Sequence, residues 1–253
     1  MGRIEVVFLD MGDTLVRLTA SLNVAFFNAA AKSGRTIDDD HLARSLAEVT
    51  REVDARSQHE GFTPSEEIDR LYWRDFNSRL LQKLDVAEHL WERTHEECER
   101  AFVDPANFAI FPEVHETLAA LRADGYRLAI LSNWSWHLDA LCKILALDAY
   151  FEEIVISSRV GYSKPHPDIF AHALQRMGVE AGAAIHVGDN PIADVGGALG
   201  VGITPVLIDR TGRDAALAVP HRIGDLRELP GLLRTLGGEG RLRDTETQRT
   251  TRD

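Results

Sequence analysis

The chain has 253 residues, a formal net charge of −12 and two cysteines, Cys98 and Cys142, far apart. That length holds one large α/β domain or a core with a small insert. The acidic balance argues against a nucleic-acid or anionic-membrane surface, which needs clustered Lys and Arg, and the cysteines support neither a disulfide framework nor a zinc site.

The first element is Val6-Val7-Phe8-Leu9, an apolar, partly β-branched run that predicts a strand buried on both faces. Asp10-Met11-Gly12-Asp13-Thr14-Leu15 must then leave the sheet, which sets the Asp10 carboxylate at the C-terminal tip of a strand. That edge of an open α/β sheet is where ligands bind. From Val16 to about Asp104 the period turns helical: Leu18, Leu22, Phe26 and Ala29, then Leu42, Leu46, Val49 and Val53, then Ile68, Leu71, Tyr72 and Leu80, then Leu90, Trp91, Cys98 and Phe102. Such a run, punctuated by Ser33-Gly34, Gly61 and Pro64, predicts a helical bundle inserted after the first strand.

Beyond Pro105 strands and helices alternate, as in a parallel sheet covered on both faces. A helix near residues 113–123 stops at Gly125, and the strand Arg127–Leu131 releases Ser132-Asn133 at its tip. After a helix near residues 137–145 and the strand Ile154–Ile156, Lys164-Pro165-His166-Pro167-Asp168 opens another helix. The strand Ala184–Val187 delivers Gly188-Asp189-Asn190-Pro191, a short helix ends at Gly200, and a strand near residues 203–208 and a helix near residues 226–236 follow. Residues 237–253 are almost all polar and predict a disordered tail. With no basic-then-apolar leader and no apolar run near the roughly 18 residues of a membrane span, a cytoplasmic protein with no membrane partner is expected.

Asp10, Ser132-Asn133, Lys164 and Asp189 thus fall at or soon after successive strand tips, on one rim of the sheet. The stretches FLDMGDTL, LAILSN, the Lys of GYSKPHPDIF, and HVGDNPIADVGGALGVG stand in an order that resembles the haloacid dehalogenase (HAD) superfamily of hydrolases, over residues 6 to about 208. The resemblance implies an α/β fold: a three-layer Rossmann-like parallel sheet core, residues 1–15 and 106–236, with an inserted α-helical bundle cap over residues 16–105.

It also implies a nucleophile, Asp10, working through a covalent aspartyl intermediate. The Mg²⁺ ligands would be Asp10, the Gly12 carbonyl, Asp189 and Asp194, a set of oxygen donors that suits a hard cation. Lys164 and Ser132 would hold the substrate's anionic group, Asn133 would orient substrate, and Thr14 would hydrogen-bond near the nucleophile's turn. The expected ligand is a small anionic metabolite, and the expected assembly a monomer or homodimer. Cap arginines such as Arg17, Arg44, Arg51, Arg70 and Arg74 read as solvated helix faces, while Trp134 and Trp136 either wall the pocket or pack against the cap.

The sequence departs from the family pattern at Gly12, where its phosphatases usually carry a second, acid–base Asp. Three readings stay open. One is a Mg²⁺-dependent phosphatase, with Asp13 or a cap residue replacing the acid or with substrates that leave easily. Another is a metal-independent 2-haloacid dehalogenase, whose halide needs no proton. The third is a catalytically weak binding or regulatory protein.

Overall fold

A computed structural model describes residues 3–19, 21–57 and 59–237. The expected disordered tail falls, but for Gly237, outside these residues. Strand β1, Val6–Leu9, is buried along its whole length and lies at the centre of a parallel sheet. With β4 (Arg127–Ser132), β5 (Glu153–Ile156), β6 (Ala184–Gly188), β7 (Thr204–Ile208) and β8 (Arg222–Ile223), it makes a six-stranded sheet of order β5-β4-β1-β6-β7-β8.

The period-2 pleat of β1 divides the core into two layers. Val7 and Leu9 join one apolar cluster with Val114, Leu118 and Leu121 of helix α5 (Val114–Ala123), Leu138 and Leu141 of α6 (Leu138–Ile144), and Leu229 and Leu233. Val6 and Phe8 face the other way, onto Ile169, Phe170, Ala173 and Met177 of α8 (Pro167–Met177). Helices on both faces of a parallel sheet are the expected α/β layering.

Strands cross from one side of β1 to the other, with β4 and β5 on one flank and β6 to β8 on the other. The chain ends of β1, β4 and β6 therefore diverge around a crevice, as at the switch point of any open α/β sheet. Register sets the depth: Leu9 pairs with Ile130 and with Val187. Asp10, Ser132 and Asp189 consequently leave the sheet within one residue of one another along the strand axis, roughly 3.3 Å.

Four longer helices leave and return between β1 and α5: α1 (Ser21–Lys32), α2 (Asp39–Ser57), α3 (Glu66–Lys83) and α4 (Trp91–Val103). They enclose their own core of Phe26, Ala30, Leu42, Val49, Leu80, Leu81 and Cys98. Ser65 caps α3 by accepting the Ile68 amide. Among the described residues no helix is long and apolar enough to cross a membrane.

The structure corrects the expected start of the helical stretch. Val16–Leu18 is a strand, β2, paired antiparallel with β3, Phe108–Ile110. This two-stranded neck carries the chain into and out of the helices. A second difference is β8, which adds a sixth strand after an irregular connection. A third is the segment after Asn190, which begins as a π-helix, Pro191–Gly196, before the short α-helix Gly197–Gly200. Such wide turns recur where a helix end must present a side chain to a site.

Candidate active site

Asp10 is buried at the tip of β1, its amide bonded to the Val187 carbonyl across the sheet. The turn after it closes through Leu15 and Val16 amides on the Met11 carbonyl and the Asp13 amide on the Val16 carbonyl, none of which uses the Gly12 carbonyl. Asp13 sits in the left-handed region, φ 49°, which an Asp tolerates better than most residues. Arg210, stacked 3.6 Å over the Phe111 ring and paired with the buried Glu113, clamps this turn by donating to the Asp13 and Thr14 carbonyls.

The Lys164 side chain is 2% exposed, and its Nζ donates at 2.7 Å to Asp10 Oδ1 and at 2.5 Å to Asp194 Oδ1. An ammonium buried alone would be costly; between two carboxylates it is fully compensated. Burial alone would lower the Lys164 pKa, but Asp10 and Asp194 raise it, so it stays charged. Asp194 is held ionised well below the usual range: burial opposes this, and Lys164 and His186 overcome it. Burial and the Asp194 charge push Asp10 the other way, upward, against the pull of Lys164.

Asp194 is fixed on every side. Its Oδ1 also accepts from His186 Nε2 at 2.8 Å, and its Oδ2 accepts the Asn190 amide at 2.9 Å. His186 is wholly buried, and burial lowers its pKa, which keeps the ring neutral with its proton on Nε2. The Asp194 carboxyl occupies the space beside Gly188, where a Cβ would come within 2.2 Å of Oδ2. Gly188 is therefore the residue that lets the carboxylate in.

Asp189 completes the cluster: Asp10, Asp189 and Asp194 each offer an oxygen within 4.8 Å of the others. Its pKa is raised well above the carboxylate range, first by burial and then by the charges of Asp194, Asp10 and Asp13, with the exposed Arg213 opposing at 3.2 Å. Negative charge thus accumulates at Asp189 beyond what its protein partners neutralise. Oxygen donors and that excess charge fit a hard divalent cation.

Ser132 and Asn133 arrive from β4. The buried Ser132 hydroxyl lies near enough to help hold Asp10 ionised, yet forms no well-aligned hydrogen bond among the described residues. Asn133 differs from expectation. Its side chain donates to the Lys164 carbonyl at 2.8 Å and accepts the Lys164 amide at 2.7 Å, so it positions the lysine loop. Thr14 also departs from the sequence reading, since its buried hydroxyl has no hydrogen-bond partner among the described residues.

Trp134 packs against the cap. It is buried against Phe102 and Phe108, linking α4 to β3, and a Cβ at Gly12 would lie 3.3 Å from its ring. Trp136 stacks under Arg159 and donates its amide to Asp69 of α3. Of the cap arginines, Arg74 is paired within the helices with Glu92 and Glu99.

Sequence reasoning missed the cap side of the site. The Asp54 carboxylate on α2, buried, accepts a 2.8 Å hydrogen bond from Asn190 Nδ2, while Asn190 Oδ1 accepts the Ile192 and Ala193 amides. Burial pushes the Asp54 carboxyl up to about 6, the Asp194 charge adds to this, and Asn190 and Lys164 oppose it. Tyr72 of α3 brings its hydroxyl beside Ser57 and Ser163. Cap polar groups therefore straddle the loops that carry Lys164 and Asp189.

A family model described as haloacid dehalogenase-like hydrolase matches residues 4–202. A glyceraldehyde 3-phosphate phosphatase from Pyrococcus furiosus is 30% identical over 94% of this chain and 95% of its own. A phosphoserine phosphatase from Thermus thermophilus is 35% identical over 66% of this chain and 69% of its own. The crystal structure of a 2-haloacid dehalogenase from Pseudomonas syringae pv. Tomato superposes with a TM-score of 0.58 at 26% identity, covering 92% of this chain and 99% of that one.

Proposed function

We propose, from the premise that this chain belongs to the haloacid dehalogenase-like hydrolase family, that it is a Mg²⁺-dependent phosphatase acting on a small phosphorylated metabolite through an aspartyl-phosphate on Asp10. The observation that carries this reading is the buried Asp10–Lys164–Asp194 bridge beside Asp189, with oxygens of the three carboxylates within 4.8 Å. The phosphatase relatives support the same choice of substrate class.

Asp10, Asp189, the Gly12 carbonyl and Asp194 would hold the cation, Asp194 with less freedom because Lys164, His186 and Asn190 already occupy it. Mg²⁺ would supply charge neutralisation between the acidic cluster and a phosphate dianion. Lys164 keeps one Asp10 oxygen oriented and leaves the other to attack phosphorus; the leaving oxygen departs and a phosphoryl group remains on Asp10. Water then attacks phosphorus and frees the carboxylate. Ser132, a buried hydroxyl beside Asp10 with no well-aligned hydrogen bond among the described residues, is placed to donate to a phosphoryl oxygen. The α1–α4 cap would shut bulk water out while the phosphoryl group passes to Asp10 and would contact the leaving group.

Purified protein is expected to release phosphate from acetyl phosphate and p-nitrophenyl phosphate with Mg²⁺, and excess EDTA should lower the rate at least about 100-fold, restored by added Mg²⁺. The Gly12 position and the likeness to a dehalogenase favour a second reading, 2-haloacid dehalogenase. Chloride release from L-2-chloropropionate that EDTA does not touch, with no phosphate release, would decide for it.

A further inference from the structure

The proposed reaction expels an alkoxide, and an alkoxide leaves slowly unless something protonates it. Lys164 is locked between two carboxylates, and Asp194 accepts from three donors. Gly12 offers no side chain, and a ring atom of Trp134 crowds the space beside it. Asp13 is exposed to solvent in its left-handed turn; desolvation by the surrounding chain raises its pKa, and the guanidiniums of Arg213 and Arg210 beside it oppose this, so a proton on Asp13 would give up two cationic partners.

Asp54 is placed differently. It projects from the cap helix α2, is buried, and is bonded to Asn190, the residue that follows Asp189. The groups that face it are the neutral Asn190 amide, the charges of Asp194 and Lys164, and the Tyr72 hydroxyl on α3. Among the described residues its one side-chain hydrogen bond comes from a neutral amide, so it can carry a proton without breaking an ion pair. Asn190 is held by the π-helix amides, which fixes where the Asp54 carboxyl sits when the cap is down.

Building on the phosphatase reading, we propose that Asp54 is the general acid–base of the reaction, a cap-borne carboxyl that replaces the side chain absent at Gly12. The protonated carboxyl gives its proton to the leaving oxygen as the P–O bond breaks and Asp10 takes the phosphoryl group. The Asp54 carboxylate then accepts a proton from the water that attacks phosphorus, the bond from phosphorus to Asp10 breaks, and phosphate leaves with Asp54 protonated again. Because the acid rides on the cap, protonation is available only when the cap is seated against Asn190.

The test is a leaving-group series, from alkyl phosphates through phenyl phosphate to p-nitrophenyl phosphate and acetyl phosphate, on wild type, Asp54→Asn and Asp13→Asn. Asn at 54 keeps an oxygen to accept from Asn190 and loses only the transferable proton. Expected for Asp54→Asn is a fall in kcat of about 10²–10³-fold on alkyl phosphates and less than about tenfold on p-nitrophenyl phosphate. Equal losses across the series would show a merely structural part, and no loss would show none; either overturns the proposal. A leaving-group-dependent loss in Asp13→Asn instead would move the role to Asp13. Wild type inert toward every ester but active on acetyl phosphate would remove the need for an acid while leaving the phosphatase reading standing. Wild type inert toward all of these compounds would overturn both.

Discussion

Asp10→Asn is expected to reduce phosphate release by at least about 10⁴-fold, some 5 kcal/mol of barrier, with every other contact of the site in place. The amide is isosteric and can still accept from Lys164 Nζ, but it cannot form the acyl phosphate. Stability should not fall. Asp10 is buried and its ionised form is disfavoured there, so a neutral amide removes a penalty, while Lys164 retains Asp194. Thermal unfolding of the metal-free variant is therefore expected within a few degrees of wild type or above it. A lost activity with a lost fold would say nothing about the nucleophile; a lost activity with an intact melt identifies it.

Lys164→Met is expected to do the opposite to stability. The apolar stem is kept, but Asp10 and Asp194 are left buried and close to each other without their shared cation. Removing one partner from such a cluster costs about 3–5 kcal/mol, and activity should fall at least about 100-fold because Asp10 loses its orientation. The pH dependence has a definite sign. In wild type the Asp194 pKa is depressed, so its contribution is present above the usual carboxylate range and is lost only below it, as pH falls toward the depressed folded value. In the variant both carboxyls titrate upward, so the folded form loses stability as pH rises. The gap between the proteins should be widest near pH 8 and narrower, though not gone, at pH 4, which urea denaturation in EDTA at the two values measures directly. A gap that does not change with pH would show that the loss comes from packing alone.

Much of the arrangement was legible in the sequence because it depends on local pattern. A short, partly β-branched apolar run followed by acidic turn residues reads as an interior strand with a carboxylate at its end, and Val6–Leu9 is that strand. The alternation after Pro105 gave the parallel sheet, and parallel register brought Asp10, Ser132 and Asp189 to one edge. Lys164 was recognisable by its resemblance, although its side chain is a buried bridge between carboxylates, a condition that no local pattern encodes.

What was hidden depends on distant partners. Val16–Leu18 reads as the start of a helix until Phe108–Ile110, more than 80 residues later, pairs with it. Asp54 follows Val53 on a helix whose apolar face, Leu42, Val49 and Val53, packs inside the cap; its burial comes from a second contact, with Asn190, that helical periodicity does not reveal. Asn133 and Thr14 were assigned roles by position in a motif; hydrogen bonds tie Asn133 to the Lys164 backbone, and the buried Thr14 hydroxyl has no partner among the described residues. Arg210 and Arg213 lie in the irregular connection after β7, where sequence offers no register to follow.

Transfer of a phosphoryl group to Asp10 is read out by brief reaction with ³²P-labelled acetyl phosphate and Mg²⁺, quenched in acid and digested. Hydroxylamine-labile label is expected on the peptide that contains Asp10, lost in Asp10→Asn and in EDTA. Phosphate release by wild type with no label on that peptide, or with label on any other residue, would contradict transfer to Asp10.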